Sequence, residues 1–249
     1  MCTAKAAINS IAHIEGQPAG AHPDLKTYMA GVAQLLPRRP RYSTIWDQNV
    51  VLNFLKKWSP AKELSKLKLG MKLLMLLLLI SGQRLQSMHF LHIDDMKLSR
   101  NACTFMISEN LKHSRGNAPA TEVSIASYPE DKRLCPVAYL REYLQRTANL
   151  RTSRYLFVTS VPPYNRASHD TLSRWVRTTL TCSGIDTSKF GPHSTRAASS
   201  SAAAKAGVPI QVILKQGAWK TANTFTKWYK KPIFDPGLSY QNAILDNAD

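Results

Sequence analysis

The chain has 249 residues, of which 44% are apolar and 20% are charged, an ordinary balance for a globular protein with a buried core. Lysine and arginine total 33 against 16 acidic residues, and the net charge of +17 favours a polyanionic partner over a neutral one, although a merely soluble basic protein is the plain alternative. The scattered cysteines form no CxxC pair and indicate the reduced thiols of an intracellular protein: Cys2, Cys103, Cys135 and Cys182.

The first 43 residues predict two helices and a linker. A weak helical pattern covers residues 1–22, and Pro23 to Leu36 has apolar residues at three-to-four spacing after a proline that suits a first helical turn. The basic, proline-locked segment that follows predicts an interdomain linker over residues 37–43. On an extended segment, its arginines could track a phosphate backbone: Arg38, Arg39 and Arg41.

Two further helices are expected before residue 82. Ser43 and Thr44 can cap a helix that runs to Trp58. The segment from Glu63 to Ile80 is apolar nearly all round over its second half, which predicts a helix at the centre of a domain. Because Lys72 interrupts it and its apolar part is shorter than the ~18 residues that a bilayer span requires, we predict no membrane span.

Arg84 follows Gly82, where the long helix is predicted to end, and it begins a new helix. By itself it would be read as a surface arginine, but a helix that starts from the core is also a rigid platform for a guanidinium. Further along, His89 and His92 precede two aspartates in an otherwise ordinary helix end, and we predict no metal site there.

A β-hairpin is predicted next, from Ala102 to Ser108 and from Thr121 to Ala126, because both segments are rich in β-branched and apolar residues. Lys112 and Arg115 lie on the connection between the strands, and Arg115 is a candidate DNA-binding residue. Loop lysines are usually solvated, so the sequence alone gives Lys112 no role.

The middle of the chain predicts two amphipathic helices. One runs from Pro136 to Leu150, and the other is capped by Ser168 or Asp170. The second would present Arg174 and Arg177 outward, either as binders of a nucleic-acid backbone or as an ordinary solvated face; both readings stay open.

The last part of the chain contains several residues that are candidates for catalysis. His193 and Arg196 are three apart, so they share a face if a helix begins there, and an arginine in that setting can grip anionic oxygens with its planar fork. The small residues from Ala197 to Ala206 predict a closely packed, buried helix, and Pro209 to Gln216 predicts another. Tyr229 follows in a polar segment that leaves its hydroxyl free to act as a nucleophile.

These residues resemble a known family. His193-x-x-Arg196, Gly217-x-Trp219 and Tyr229 look like the C-terminal signature of the tyrosine recombinases, the phage-integrase-like enzymes that cut and rejoin DNA. Two longer segments, Pro192 to Ala206 and Ile213 to Pro232, resemble the recombinases of DIRS-like retrotransposons of eukaryotes.

The resemblance implies a mainly α fold with a small antiparallel β-hairpin or sheet. A tyrosine recombinase catalytic domain would cover residues 44–249, preceded by a partial helical core-binding (DNA-clamp) domain over residues 1–36. Two departures stand out: only the last two helices of the clamp domain would be present, and Ser87 stands where family members often carry an acidic residue.

The resemblance also implies a catalytic set: Arg84, Lys112, His193, Arg196, Trp219 and Tyr229. The two arginines would neutralise the phosphate, Tyr229 would attack phosphorus, and Lys112 would protonate the leaving 5′ oxygen. His193 would accept the tyrosine proton or bind the phosphate, and the indole N–H of Trp219 would donate to a phosphate oxygen. No metal or other cofactor is implied, because the phosphotyrosine bond stores the energy. Tyr164 and Tyr240 compete as nucleophiles, and Trp219 has a plain reading as a core residue.

The expected function is site-specific DNA recombination through a 3′-phosphotyrosyl intermediate, serving integration of a mobile element in the nucleus. The implied partner is double-stranded DNA, bound by a homo-tetramer on paired sites. One alternative is a non-catalytic DNA-binding remnant of such a recombinase, and another is a type IB topoisomerase, which shares the site chemistry.

Overall fold

The computed structural model describes residues 2–36, 42–107, 121–219, 221–233 and 245. The chain divides into two compact units, Met1–Arg41 and Tyr42–Asp249. Residues 37–41, and with them the arginines of the predicted linker, lie outside the described residues. The domain limits drawn from the sequence, 1–36, 37–43 and 44–249, stay a prediction.

The first unit is small and helical. Helix α1 spans Cys2–Ile11 and helix α2 spans Pro23–Leu35. Between them lies a hairpin of two short strands, β1 (His13–Ile14) and β2 (Gln17–Pro18), which the helical pattern of residues 1–22 did not predict. Its turn needs Gly16 at a φ of +75°. Ala19 is the single buried residue among the side chains described in this unit.

The second unit holds eight α-helices within its described residues, namely α3 (Gln48–Lys57), α4 (Lys66–Ser81), α5 (Leu85–His89), α6 (Pro136–Thr147), α7 (His169–Cys182), α8 (Ser194–Lys205), α9 (Ile210–Gln216) and α10 (Ala222–Trp228). Its antiparallel sheet has the order β3 (Met96–Leu98), β4 (Ala102–Ile107), β5 (Thr121–Ala126). The predicted hairpin corresponds to β4 and β5.

Helix α4 is the centre of this unit, as its apolar sequence predicted. It contacts α6, α7 and α8, and all of its residues from Leu69 to Leu79 are buried. Gly70 allows α6 and α7 to pack closely against α4, since a Cβ there would lie 3.0 Å from the Trp175 ring and 3.2 Å from the Tyr143 ring. The helix ends at Gly82, which adopts a left-handed conformation with a φ of +58°. No helix in the described ranges is long and apolar enough to span a membrane.

The sheet covers one side of the same core. Along β4, Cys103, Phe105 and Ile107 are buried and alternate with partly exposed residues. Val123 of β5 lies opposite Phe105 and is also buried. Because β5 contacts α4 and α6, this apolar face of the sheet closes the core.

One predicted helix start was wrong. Helix α3 begins at Gln48 and is capped by Asp47, whose side chain accepts from the backbone N–H of Asn49, and Ser43 and Thr44 are not its caps. The preceding segment is held by tertiary bonds instead. The Ile45 N–H donates to the Pro232 carbonyl at 2.9 Å, and the buried Trp46 indole donates to Ser194 Oγ at 2.9 Å.

Lys72 is a charged residue inside the central helix and is fully buried. Its Nζ donates to the Leu55 carbonyl at 2.8 Å and to the Trp58 carbonyl at 2.6 Å, and it lies 3.8 Å from the centre of the Tyr139 ring. It thereby adds a donor for two carbonyls at the C-terminal end of α3. Burial lowers the pKa of Lys72 from 10.5 to about 7, because desolvation disfavours the charged ammonium.

Lys72 should make the stability of the fold depend on pH. Between about pH 7 and pH 10.5 the unfolded chain binds a proton at Lys72 that the folded chain has released, so stability rises with pH in this window. Relative to Lys72→Met, the free energy of unfolding of the unmodified chain should therefore increase by up to ~1.4 kcal/mol per pH unit. Urea unfolding at roughly pH 7, 8 and 9 measures this dependence of the free energy of unfolding on pH.

The matched control is Lys68→Met, because Lys68 lies on the same helix and is exposed. This variant should track the unmodified chain across the same pH range. A constant difference between Lys72→Met and the unmodified chain would contradict the titration of Lys72.

Candidate active site

Helix α8 supplies the frame of the site. Its small side chains let it lie close against α4, with Ala197 and Ala198 fully buried. The Ser199 hydroxyl donates to the Leu79 carbonyl of α4 at 2.5 Å, which requires the two helices to approach closely. His193 occupies the N-cap position of α8 and Arg196 lies in its first turn, so both side chains are placed by one rigid element.

Arg196 joins two turns of the chain. Its side chain is only 1% exposed, and its Nη1 donates to the Gly82 carbonyl at 2.6 Å while its Nη2 donates to the Gly217 carbonyl. Gln83 adds a parallel bond, since its Nε2 donates to the Gln216 carbonyl at 2.7 Å. The end of α4 and the turn after α9 are therefore held together by side chains that donate to backbone carbonyls.

Trp219 covers this guanidinium. Its ring centre lies 3.7 Å from the Arg196 Cζ, a favourable cation–π distance. Position 217, two residues before Trp219, has to be glycine, because a Cβ there would lie 1.9 Å from the Trp219 ring. Ala218, between the two, adopts a left-handed conformation with a φ of +52°. Within the described residues, Arg196 Nε and Trp219 Nε1 are buried and have no hydrogen-bond partner.

Arg84 brings a second positive charge to the site. It is half-buried and directly precedes α5. Burial lowers the pKa of Arg196 to about 10, and the charge of Arg84 acts in the same direction, whereas Tyr229 opposes it. Neither arginine forms an ion pair with a carboxylate in the described part of the chain. An anion bound between them would relieve the repulsion.

Tyr229 lies beside this charge. Its hydroxyl is 3.2 Å from His193 Nε2, a hydrogen-bond distance, although 36 residues separate the two in sequence. Its ring centre is 5.2 Å from the Arg196 Cζ and 5.0 Å from the centre of the Trp219 ring. His193 is exposed and Tyr229 half-buried, so the pair is accessible from solvent.

The structure therefore brings five of the predicted site residues into one region: Arg84, His193, Arg196, Trp219 and Tyr229. Lys112, Arg115 and Tyr240 lie outside the described residues, as do the linker arginines. Arg174 and Arg177 are exposed on α7, as predicted, and Arg177 Nη1 donates to the Thr187 carbonyl at 3.1 Å. The competing Tyr164 accepts instead from Lys66 Nζ at 3.0 Å.

The two histidines that the sequence brings close together face different partners. His89 Nδ1 lies 2.9 Å from Arg166 Nη2, whereas His92 Nδ1 accepts from the Asp94 N–H at 3.3 Å. Burial, then the charges of Arg166 and His169, lower the pKa of His89 to about 4, which keeps it neutral. In the ranges that the structure describes, no group of three or more His, Cys, Asp or Glu side chains could hold a metal ion.

Sequence reasoning missed three residues that build the site. Gln83 is buried beside Arg84, Trp46 ties the chain to the start of α8, and the Ser201 hydroxyl bonds to the backbone around Tyr229. Gln83 could have been suspected, since it directly precedes a candidate catalytic arginine. Nothing in the sequence distinguishes Ser201 from the other small residues around it.

Comparison with known proteins gives a family for this arrangement. The Phage integrase family matches residues 47–234, which is most of the chain and contains all five residues gathered at the site. No curated protein sequence matched the chain.

Solved structures share the fold at low sequence identity. XerA recombinase matches with a TM-score of 0.57 and 16% identity over 86% of this chain and 67% of its own. XerH site-specific recombinase, in a pre-cleavage complex with its difH substrate, gives 0.60 and 15% over 96% and 61%. A lambda integrase tetramer bound to a Holliday junction gives 0.51 and 12% over 93% and 56%. The fold class predicted from the sequence is confirmed.

The bridging role of Arg196 can be tested without DNA. Arg196→Lys keeps the charge, but a single ammonium cannot reproduce the fork that reaches the Gly82 and Gly217 carbonyls. We expect the free energy of unfolding to fall by about 1–3 kcal/mol, because one buried carbonyl loses its donor. Urea unfolding measures the change.

Arg177→Lys is the matched control, because Arg177 also donates to a backbone carbonyl but is exposed. It should change the free energy of unfolding by less than ~0.5 kcal/mol. Equal effects of the two substitutions would show that the buried bridge contributes no more to stability than the exposed bond of Arg177.

Proposed function

This chain belongs to the phage integrase family, and on that premise we propose that it breaks and rejoins double-stranded DNA as a site-specific tyrosine recombinase. The observation that carries the proposal is the 3.2 Å approach of the Tyr229 hydroxyl to His193 Nε2, beside the uncompensated charges of Arg84 and Arg196. The net charge of +17 supports DNA as the partner.

In the proposed cleavage step, Tyr229 Oη attacks the phosphorus of a DNA strand while His193 Nε2 accepts its proton. The bond from Oη to phosphorus forms and the bond from phosphorus to the 5′ oxygen breaks. The products are a 3′-phosphotyrosyl bond and a 5′-hydroxyl, whose proton would come from Lys112. Rejoining is the reverse reaction, in which a 5′-hydroxyl attacks the phosphotyrosine.

The arginines would stabilise the charge that builds up on the non-bridging oxygens. Arg196 is rigidly placed for this, but two of its nitrogens already donate to carbonyls and Trp219 lies over it. Its charge can act through space, and direct contact with phosphate would use its remaining N–H groups once Trp219 shifts. The Trp219 indole N–H, which lacks an acceptor in the described structure, is a candidate donor to a phosphate oxygen.

The proposal predicts a covalent protein–DNA adduct. The probe is a library of randomised duplexes, each nicked in one strand, so that the short 5′-hydroxyl fragment leaves after cleavage and the adduct accumulates. A denaturing gel detects it, and sequencing of the captured duplexes gives the preferred site. Tyr229→Phe should abolish the adduct, and His193→Gln should slow its formation by roughly 10²–10⁴-fold.

Tyr164→Phe is the matched control, because Tyr164 also has a cationic neighbour, Lys66, and should leave the adduct unchanged. If the unmodified chain binds DNA in a salt-sensitive manner but forms no adduct, the non-catalytic DNA-binding remnant is the correct function. The low exposure of Arg196 is the observation that favours that alternative.

The biological role is a further part of the proposal. We propose that the chain acts in the nucleus as a homo-tetramer on paired sites and integrates a mobile element, a role supported by the resemblance of residues 192–206 and 213–232 to DIRS-like recombinases. A circular DNA that carries two captured sites should then enter chromosomes of eukaryotic cells, as measured by sequencing of junctions. Junctions of equal frequency with Tyr229→Phe would contradict this role.

A further inference from the structure

Ser201 bonds to the backbone on both sides of Lys230, the residue that follows Tyr229. Its hydroxyl donates to the Tyr229 carbonyl at 2.8 Å and accepts from the Lys231 N–H at 2.9 Å. Ser201 is 3% exposed, so its hydroxyl makes both bonds from a buried position. We propose that Ser201 is a positioning residue that holds Tyr229 in its reactive geometry; this inference rests on the proposed function.

Tyr229 needs such an anchor because its own helix is weakly held. Helix α10 has seven residues, and Phe225 is its only buried residue. Tyr229 is the C-cap of this helix, where a carbonyl has no partner within the helix and must find one elsewhere. The backbone N–H groups of Tyr229 and Lys230 both donate to the Phe225 carbonyl and close the helix end. The Tyr229 carbonyl accepts from the Ser201 hydroxyl of another helix.

Residues of α8 contact both the hydroxyl and the backbone of Tyr229. His193, at the N-cap of α8, meets the Tyr229 hydroxyl, while Ser201, two turns further along the same helix, holds the Tyr229 backbone. One rigid helix thus sets the distance between the tyrosine and the residue proposed to take its proton. Losing the Ser201 bonds would leave the hydroxyl free to drift, and a misplacement of ~1 Å can cost ~10²-fold in rate.

The neighbouring serine provides a matched control. Ser200 is also 3% exposed and lies on the same helix, but its hydroxyl donates to the Arg196 carbonyl of α8 itself at 2.7 Å. Removing either hydroxyl deletes a buried hydrogen bond from α8. Of these two hydroxyls, only that of Ser201 connects α8 to the segment that carries Tyr229, so the two alanine variants separate a general loss of stability from a loss of positioning.

The test uses the full chain and a nicked duplex captured by the unmodified protein. The single-turnover rate of adduct formation is measured against DNA concentration, which gives a maximum rate and a half-saturating concentration. We expect Ser201→Ala to lower the maximum rate by ~10–100-fold and to leave the half-saturating concentration within about twofold. Ser200→Ala should stay within about threefold of the unmodified chain in both quantities.

Ser201→Cys separates hydrogen bonding from packing, because a thiol fills the same space but is a weak donor and acceptor. It should react as slowly as Ser201→Ala. If a thermal unfolding measurement shows that Ser201→Ala is not folded, Ser201→Cys is used for the test in its place. The inference is overturned if the folded Ser201 variants react at the rate of the unmodified chain, if Ser200→Ala loses as much, or if the loss lies wholly in DNA affinity. A lack of adduct with the unmodified chain would instead contradict the proposed function.

Discussion

The guanidinium of Arg196, buried without a carboxylate, is the constraint on which the rest of the site depends. An isolated buried charge is costly, so it must be solvated by the protein itself. The Gly82 and Gly217 carbonyls and the face of Trp219 do this. Because these groups come from the end of α4 and the turn after α9, folding the charge into the core also fixes both turns, and with them Arg84 and Trp219.

The small residues of α8 are what allow this arrangement. A larger side chain at Ala197 or Ala198 would push α8 away from α4, since both positions are fully buried. Serine suits the remaining positions because its hydroxyl satisfies a carbonyl at close range. Ser199 bonds to α4, Ser200 bonds within α8, and Ser201 bonds to the segment around Tyr229. A stretch that reads as low in complexity is therefore a set of distinct contacts.

The parts that sequence predicted well depend on local patterns. The apolar run of α4, the β-branched and apolar residues of β4 and β5, and the spacing of His193 and Arg196 can each be read from the sequence of one element. The parts that sequence missed depend on distant partners. The segment around Trp46, where the sequence predicted a helix, is held instead by the bond from the Trp46 indole to Ser194, which lies 148 residues away. The partners of Arg196 are the carbonyls of Gly82 and Gly217, which come from turns on either side of it in sequence. The three-residue β3 carries too short a pattern to be recognised.

The site contains several groups that destabilise the folded protein in the absence of a bound phosphate. Arg196 Nε and Trp219 Nε1 lack acceptors in the described structure, Ala218 holds a conformation that alanine rarely adopts, and the positive charges of Arg84 and Arg196 repel each other. Each of these costs is borne when the protein folds, before any substrate arrives. A phosphate at this place would supply both hydrogen-bond acceptors and an opposite charge. Its binding would therefore remove the destabilisation that the unpaired donors and the repelling charges cause in the free protein. Groups oriented in advance need no reorganisation as the reaction proceeds, which is the condition under which fixed charges lower a barrier most.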